Sequence, residues 1–255
     1  MSARLPVLGV DIDMPSFARA VSDAEAAIRA GEQGYACHVD ARLLLAARDR
    51  PDVARALASA TFAFPDGMPL VWSGRARGVA AERIYGPDFM RAMLDRPGLR
   101  HAFFGADDKT LAALGAYVAR AHPAARVVLA LAPPGGAWSD DATRAHAAAL
   151  NESAADIVWV GLGAPKQELW MEANRPGLAA PLLVGVGAAF DFLAGTKPQA
   201  PAFVRRAGLE WLFRLASEPG RLWRRYLTTV PRVAALLLYE IAAERSAAIR
   251  RKASR

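Results

Sequence analysis

The sequence predicts an α/β fold, namely a Rossmann-like, mostly parallel sheet flanked by helices, with a helical C-terminal appendage. Apolar runs of strand length recur up to Gly195, and each is followed by a segment with helical periodicity. The runs are continuously apolar rather than alternating, which is typical of parallel strands buried on both faces. After Gly195 the strand-like runs stop and only helical segments follow. This order favours an open doubly wound domain with a helical addition.

The predicted strand and helix pairs follow one another along the chain. In order they are VLGVDID with PSFARAVSDAEAAIRAG, YACHV with ARLLLAARDR, FAF with PDGMPLVWSGRAR, HAFFGA with DDKTLAALGAYVARAH, RVVLALA with SDDATRAHAAALNESA, DIVWVGLG with APKQELWMEA, and PLLVGVG with AAFDFLAG. In folds of this class the ligand crevice lies beyond the carboxyl ends of the strands. The motifs DID, HVD, PDG, GADDK, GLGAPKQE and GVGAAFD fall at those ends, so we expect the functional site there.

The C-terminal part begins with TKPQAPAF, a connector punctuated by prolines. Three helical segments follow, which are FVRRAGLEWLFRLAS, EPGRLWRRYLTTV and PRVAALLLYEIAAERSAAIRRK. Proline is favoured at the first position of a helix, so we expect the last helix to begin at Pro231. The sequence thus predicts an α/β domain over residues 1–197 and a helical appendage over residues 198–255.

The basic charge of the chain is concentrated in this appendage. The net charge is +7, but residues 1–204 hold 20 Lys and Arg against 21 Asp and Glu, whereas residues 205–255 hold 12 against 4. The arginines alternate with aromatic and aliphatic residues, which fits an anionic membrane surface better than nucleic acid. A solvated basic helix is the alternative. Among these side chains, Arg214, Arg221 and Arg224 are candidates for binding phosphate oxygens through bidentate guanidinium contacts.

Composition and cysteine content indicate the cellular compartment. Cys37 is the only cysteine, so the chain has no internal disulfide and a reducing compartment is expected. The N-terminal segment has too short an apolar stretch for a signal peptide. No uncharged run approaches the roughly 18–20 residues that a membrane-spanning helix needs. We therefore expect a cytoplasmic protein that associates peripherally with the inner face of the membrane.

The stretch GLGAPKQE contains Gly161, Gly163, Lys166, Gln167 and Glu168 directly after a predicted strand. It is neither a Walker A loop nor a complete GxGxxG motif. A lone GxG fits a tight turn as well as a phosphate cradle. Because a lysine, an amide and an acid follow at the start of a helix, we favour a nucleotide diphosphate, with helix amides and the lysine facing its oxygens.

Two aspartates also follow predicted strands. Asp66 lies between a proline and a glycine in PDG, where a carboxylate can serve as a general base; a simple Asp-Gly turn is the alternative. Asp191 in GVGAAFD can accept hydrogen bonds from a uracil N–H or a ribose hydroxyl, or can merely cap a helix.

The stretch CHVD offers three further polar side chains. Cys37 and His38 are adjacent in a strand and point to opposite faces, which excludes a nucleophile–base pair and favours a buried cysteine. His38 and Asp40 share a face and are candidate substrate contacts. DID at 11–13 resembles an Asp-x-Asp metal motif, but no second acidic cluster or histidine pair accompanies it, so we predict no metal and no cofactor.

Five blocks occur in the order typical of one enzyme family: PDG at 65–67, RIYGPD at 83–88, GLGAPKQE at 161–168, GVGAAFDFLAG at 185–195 and GLEWLFRLASEPGRLWRRY at 208–226. Over nearly its full length, the chain resembles the WecG/TagA/CpsF glycosyltransferases, glycosyltransferase family 26. The resemblance implies transfer of a hexose unit, often N-acetylmannosamine, from a UDP-sugar to a polyprenyl-diphosphate-linked sugar at the cytoplasmic membrane face. It also implies inversion at the anomeric carbon without a metal.

The resemblance assigns expected roles to individual residues. Asp66 falls at the position of the proposed catalytic base, and Gln167 and Asp191 fall among nucleotide-contacting positions. Arg214, Arg221 and Arg224 correspond to appendage arginines that close over the diphosphate, and Arg83 and Asp88 lie in the RIYGPD block as expected substrate-binding residues.

Two departures from the family pattern bear on which sugar is transferred. His38-Val39-Asp40 stands where members usually have Thr-x-Asn, and Gln199-Ala200-Pro201 stands where they usually have Arg-Ala-Pro.

Two other functions compete with sugar transfer: a nicotinamide-dependent oxidoreductase, and a non-catalytic nucleotide-binding module at the membrane surface. The expected partners are the sugar donor, the lipid-linked acceptor and the membrane, with a homo-oligomer left open and nucleic acid not expected.

Overall fold

In the computed structural model, the described part of the chain comprises the backbone of residues 4–253 and the side chains of those residues other than 206, 221, 225, 245 and 247–253. The strands are β1 (Arg4–Val7), β2 (Val10–Asp13), β3 (Gly34–Val39), β4 (Phe62–Pro65), β5 (Arg100–Gly105), β6 (Arg126–Leu131), β7 (Ile157–Gly161) and β8 (Leu182–Gly185). The helices are α1 (Phe17–Arg29), α2 (Ala41–Asp49), α3 (Pro51–Ala58), α4 (Met68–Ala76), α5 (Gly86–Leu94), α6 (Asp108–Ala121), α7 (Asp140–Glu152), α8 (Lys166–Asn174), α9 (Ala189–Leu193), α10 (Ala202–Arg206), α11 (Glu210–Ser217) and α12 (Pro219–Ala253).

The central sheet is parallel, as the sequence predicts. Its strands lie in the order β4-β3-β8-β7-β5-β6, and all neighbours run in the same direction. Helices cover both faces, and each face carries its own apolar cluster. Cys37 on β3 belongs to one cluster, and it is fully buried. Because β3, β7 and β8 are buried on both sides, their sequences show no polar alternation.

The first predicted strand is a hairpin outside this sheet, which corrects the sequence-based assignment. VLGVDID contributes to β1 and β2, which pair with each other in antiparallel fashion. Leu8 and Gly9 form the turn between them with φ angles of 50° and 82°. The DID motif therefore does not lie at the carboxyl edge of the parallel strands. Asp13 instead pairs with Arg4 at 3.0 Å and accepts a hydrogen bond from the Ala63 amide at 2.8 Å.

The last two predicted helices form one helix, α12, which continues through Pro231. A proline within a helix removes one backbone hydrogen bond, so contacts elsewhere must offset that loss. Glu240 of α12 pairs with Arg77 at 2.9 Å, and Arg232 pairs with Asp49 at 2.6 Å. These ion pairs join α12 to α4 and α2, which places the C-terminal helices against the body of the fold.

One stretch of α12, Leu222–Glu244, is long and apolar enough to cross a membrane by length and composition. It is not an uncharged run, since it contains Arg224, Arg225, Arg232, Glu240 and Glu244. Only 11% of its tested window is buried inside the protein. A helix that lies on a membrane with one face exposed has the same composition.

Candidate functional site

A cavity of about 860 Å³ lies beyond the carboxyl ends of β3, β4, β7 and β8. This is where the sequence predicts the site. The strand tips and the turns that follow them form a polar wall, which includes Asp66, Gly161 and Gly187. Helices α11 and α12 form the opposite wall, and residues such as Val230 and Ala234 make it largely apolar. The cavity is therefore lined by polar groups on one side and by aliphatic groups on the other.

Asp66 follows β4 directly and faces this cavity. Its amide donates to the carbonyl of Val39 at 3.0 Å, which fixes the backbone at the end of β3. Its side chain is 20% exposed, and Arg83 Nη2 lies 3.0 Å from Asp66 Oδ1. Burial raises the pKa of Asp66 to about 7, although the Arg83 guanidinium opposes this shift. A carboxyl group that titrates near neutrality is suited to accept and release a proton.

The RIYGPD block supports Asp66 on one side and the C-terminal segment on the other. Arg83 Nη2 is also 2.8 Å from Glu210 Oε2, and the Tyr85 hydroxyl donates to Glu210 Oε1 at 3.1 Å. Asp88 lies outside the described lining of the cavity and pairs with Arg205 at 2.8 Å. In this structure Asp88 therefore joins α5 to α10, and a substrate contact by Asp88 stays a prediction.

The two glycine turns are tied together by Gln167. Its Oε1 accepts hydrogen bonds from the Gly163 amide at 3.2 Å and from the Gly187 amide at 3.0 Å. Gly163 has a φ of 79°, which favours glycine, and a side chain on Gly161 would meet the Phe190 ring at 2.5 Å. The glycines are therefore required by turn geometry and packing, and Gln167 fixes the shape of the cavity floor.

Lys166 and Glu168, the neighbours of Gln167, are directed elsewhere, which corrects the expectation that both contact ligand. The Lys166 ammonium lies 4.3 Å from the Trp138 ring centroid and donates to the Gly136 carbonyl at 3.0 Å, beside a smaller pocket of about 480 Å³. Glu168 is completely buried and accepts from Gln167 Nε2 at 2.8 Å. Burial raises the pKa of Glu168 to about 7. Neither residue belongs to the described lining of the larger cavity.

Asp191 lines the cavity from α9, as the motif suggests. Its carboxylate is paired with Lys197 at 2.6 Å and accepts from the Thr196 hydroxyl at 3.2 Å. Lys197 lines the cavity as well. Sequence reasoning treated TKPQAPAF only as a connector and missed this lysine. The sequence feature that indicates this lysine is its position six residues after Asp191, with Gly195 between the two.

His38 and Asp40 both line the cavity, but each already has an internal partner. His38 Nδ1 lies 3.1 Å from the Gly185 carbonyl, so this nitrogen carries the proton. The ring packs against Phe64 and Phe89, and burial lowers its pKa to about 4. Asp40 caps α2 by accepting from the Leu43 amide at 2.7 Å.

The three candidate arginines of the C-terminal helices differ in placement. Arg214 on α11 lines the cavity, with its guanidinium 5.8 Å from the Phe192 ring centroid. Arg224 is exposed, lies over the Trp223 ring at 5.2 Å and is outside the described lining, contrary to expectation. The side chain of Arg221 falls outside the described residues. Arg214 and Lys197 are thus two cationic side chains that the described part of the chain places at this cavity.

No group of three or more His, Cys, Asp or Glu side chains is placed to hold a metal ion among the residues that the structure describes. The described lining offers a ligand four cationic side chains, a carboxyl group with a pKa near neutrality and an aliphatic wall. The cations are Arg42, Arg83, Lys197 and Arg214, of which Arg83 and Lys197 already pair with carboxylates. These groups suit an anionic polar molecule that reacts next to an apolar one.

A comparison with known protein families gives one result. The model of the Glycosyl transferase WecG/TagA/CpsF family matches residues 5–247. The match spans the parallel sheet, the cavity and most of α12, so it covers every block on which the sequence resemblance rests.

Proposed function

The chain belongs to the WecG/TagA/CpsF family of glycosyltransferases, and from that premise we propose the reaction that it catalyses. Enzymes of this family act in cell-wall polysaccharide synthesis and use, in general, a nucleotide-sugar donor and a lipid-linked acceptor. The proposed reaction moves a hexose or N-acetylhexosamine, of the N-acetylmannosamine kind, from a UDP-sugar to a polyprenyl-diphosphate-linked sugar. The observation that carries this proposal is Asp66, a carboxyl group with a pKa of about 7 in the cavity at the strand tips.

The cationic groups support an anionic leaving group. As the acceptor oxygen displaces UDP, negative charge builds on the departing β-phosphate. Arg214 lines the cavity and can donate to those oxygens without the reorganisation that water would need. Lys197 also lines the cavity, and its ammonium group has further N–H donors besides the one directed at Asp191. The turns at Gly163 and Gly187, held by Gln167, shape the polar floor on which the nucleotide rests in this proposal.

The chemical step needs only the acceptor hydroxyl, the Asp66 carboxylate and the UDP-sugar. The acceptor hydroxyl loses its proton to the Asp66 carboxylate while its oxygen forms the new bond to the anomeric carbon. The bond between that carbon and the β-phosphate oxygen breaks, and UDP leaves with the electron pair. Attack from the face opposite the leaving group inverts the configuration. The proposal requires no metal ion, because protein cations stabilise the leaving diphosphate.

The aliphatic wall and the exposed face of α12 support a lipid-linked acceptor at the inner membrane face. Members of this family act at the membrane on such substrates. Leu227 and Tyr239 on α12 are 66% and 76% exposed, and the segment is strongly basic. Exposed apolar side chains on a basic helix fit an anionic bilayer. The double substitution Leu227→Glu and Tyr239→Glu should reduce the fraction of the protein that sediments with anionic vesicles at least tenfold. Val127→Glu, at an exposed apolar position on β6, is the matched control.

The transferase assay is direct. The full chain is incubated with a panel of UDP-sugars and a synthetic polyprenyl-diphosphate-linked sugar, with and without EDTA. We expect transfer from one UDP-N-acetylhexosamine, unaffected by EDTA, to give a product whose one-bond C1–H1 NMR coupling reports inversion. Product that forms only with added metal, or with retained configuration, would contradict the mechanism.

Thermal-shift titration separates sugar transfer from the two rival functions. UDP should raise the melting temperature, whereas NAD should not. A stabilising effect of NAD would favour an oxidoreductase. UDP binding without turnover on any acceptor would favour a membrane-surface nucleotide-binding module.

A further inference from the structure

Glu210, the first residue of α11, makes two contacts with the RIYGPD block. Its Oε2 is 2.8 Å from Arg83 Nη2, and its Oε1 accepts from the Tyr85 hydroxyl at 3.1 Å. The same Nη2 atom of Arg83 is 3.0 Å from Asp66 Oδ1. The Glu210 side chain is only 13% exposed, and that of Arg83 is 19% exposed. A single guanidinium is therefore shared between a carboxylate of the C-terminal segment and the carboxylate at the strand tip.

Further contacts fix Glu210 in this position. Gln199 Nε2 donates to the Tyr85 hydroxyl at 3.2 Å, and the Arg205 guanidinium lies 5.0 Å from the Tyr85 ring centroid. Arg205 also pairs with Asp88 at 2.8 Å. The segment from residue 199 to residue 210 thus docks on the RIYGPD block at several points, and this docking delivers the Glu210 carboxylate to Arg83.

Sharing Arg83 changes the chemistry of Asp66. A carboxylate with an arginine to itself is held ionised and is a weak base. The charged groups that face Asp66 are Arg83 from the loop before α5, Glu210 from α11 and Asp40 from the end of β3. Arg83 favours the ionised form of Asp66, while Glu210 and Asp40 oppose it, in addition to the effect of burial. Glu210 acts in two ways in the same direction, since it adds a like charge and draws the guanidinium toward itself.

We propose that Glu210 is a positioning residue that acts on Asp66 through Arg83, so that the docking of α11 makes the carboxylate at the strand tip a stronger base. The proposal rests on the proposed role of Asp66 in glycosyl transfer. It links the contacts of α11 with the RIYGPD block to the basicity of the proton acceptor.

The test compares Glu210→Gln with Glu240→Gln in the full chain. Both glutamates join the C-terminal helices to an arginine of the body, but Glu240 pairs with Arg77, and neither of these two residues is in the described lining of the cavity. In Glu210→Gln we expect the acid limb of the kcat–pH profile to move about one unit lower. We also expect the plateau kcat to fall about threefold, because the base is weaker, with the donor KM nearly unchanged. Glu240→Gln should keep the wild-type limb.

A second variant and a second readout guard against a folding defect or an inactive preparation. Glu210→Asp keeps the charge one methylene further from Arg83, so its acid limb should move in the same direction by a smaller amount. The carboxyl carbon resonance of Asp66 can be assigned by comparison with Asp66→Asn. Its pH titration should give a lower pKa in both Glu210 variants than in the wild type, whether or not turnover is observed.

The outcomes separate this proposal from the proposed function. A wild-type chain that transfers no sugar, but whose Asp66 titration shifts in Glu210→Gln, contradicts the function and retains the coupling. Superimposable Asp66 titrations in wild type and both Glu210 variants overturn the coupling. Equal losses in kcat and increases in KM, with an unmoved acid limb, would assign Glu210 a merely structural role and also overturn it.

Discussion

Replacing Glu168 by glutamine should stabilise the protein above neutral pH. Burial raises the pKa of Glu168 to about 7, and its Oε2 atom has no hydrogen-bond partner in the described structure. The ordinary pKa of a glutamate is 4.5, so ionising this folded carboxyl costs about 3 kcal/mol. Between these two pKa values the folded state binds more protons than the unfolded state. The stability of the wild type therefore falls as pH rises through this window, and the full loss is present above pH 7.

Glutamine removes this ionisation, but it has two amide N–H groups without an acceptor where the protonated glutamate has one such O–H, and the additional unpaired donor costs about 1 kcal/mol. The net gain at pH 8 is then about 2 kcal/mol, and at pH 4.5 the variant should be about 1 kcal/mol less stable than the wild type. Urea unfolding at the two pH values measures the difference directly. Glu172→Gln, on the same helix but partly exposed, is the matched control. A difference between variant and wild type that does not change with pH would refute the reasoning.

Two further substitutions test the glycine turns and the cationic wall. Gly161→Ala should lower the unfolding free energy by about 1–3 kcal/mol in urea titrations, because the new methyl group meets the Phe190 ring at 2.5 Å. Gly115→Ala, in open space within α6, should stabilise instead, and equal effects of both would contradict the packing argument. Arg214→Gln should lower kcat about a hundredfold in the transfer assay, as loss of a donor to developing charge does, while Arg144→Gln on α7 should not.

Much of the fold is predictable because its strands are buried on both faces. Continuous apolar runs such as DIVWVGLG have few alternatives to a parallel strand. The hairpin at the start of the chain was missed because VLGVDID was treated as one apolar run. Gly9 within that run was the signal, since an isolated glycine in a strand pattern indicates a turn or bulge. The single helix α12 was missed because Pro231 normally ends or begins a helix, and the ion pairs that join α12 to the body are invisible in sequence.

The cavity lies beyond the strand tips, where the sequence predicts the site, but the directions of individual side chains do not follow from the sequence. Lys166, Gln167 and Glu168 are consecutive on a helix, so their directions differ by about 100° from one to the next. Only Gln167 of these three belongs to the described cavity lining. Composition alone does not tell which member of such a run faces the ligand. The sequence shows Glu210 only as part of a motif, because its partner Arg83 lies 127 residues earlier in the chain.

The central claim is that the Asp66 carboxylate accepts the proton of the attacking hydroxyl group. The measurement that tests it most directly is the single-turnover rate of Asp66→Asn with saturating donor and lipid-linked acceptor. Asp156→Asn is the control, because Asp156 also pairs with an arginine, at 2.7 Å, but at the opposite end of the sheet. We expect Asp66→Asn to be slower by about 10²–10⁴-fold with UDP binding preserved, and Asp156→Asn to transfer at the wild-type rate. A wild-type rate for Asp66→Asn would contradict the account.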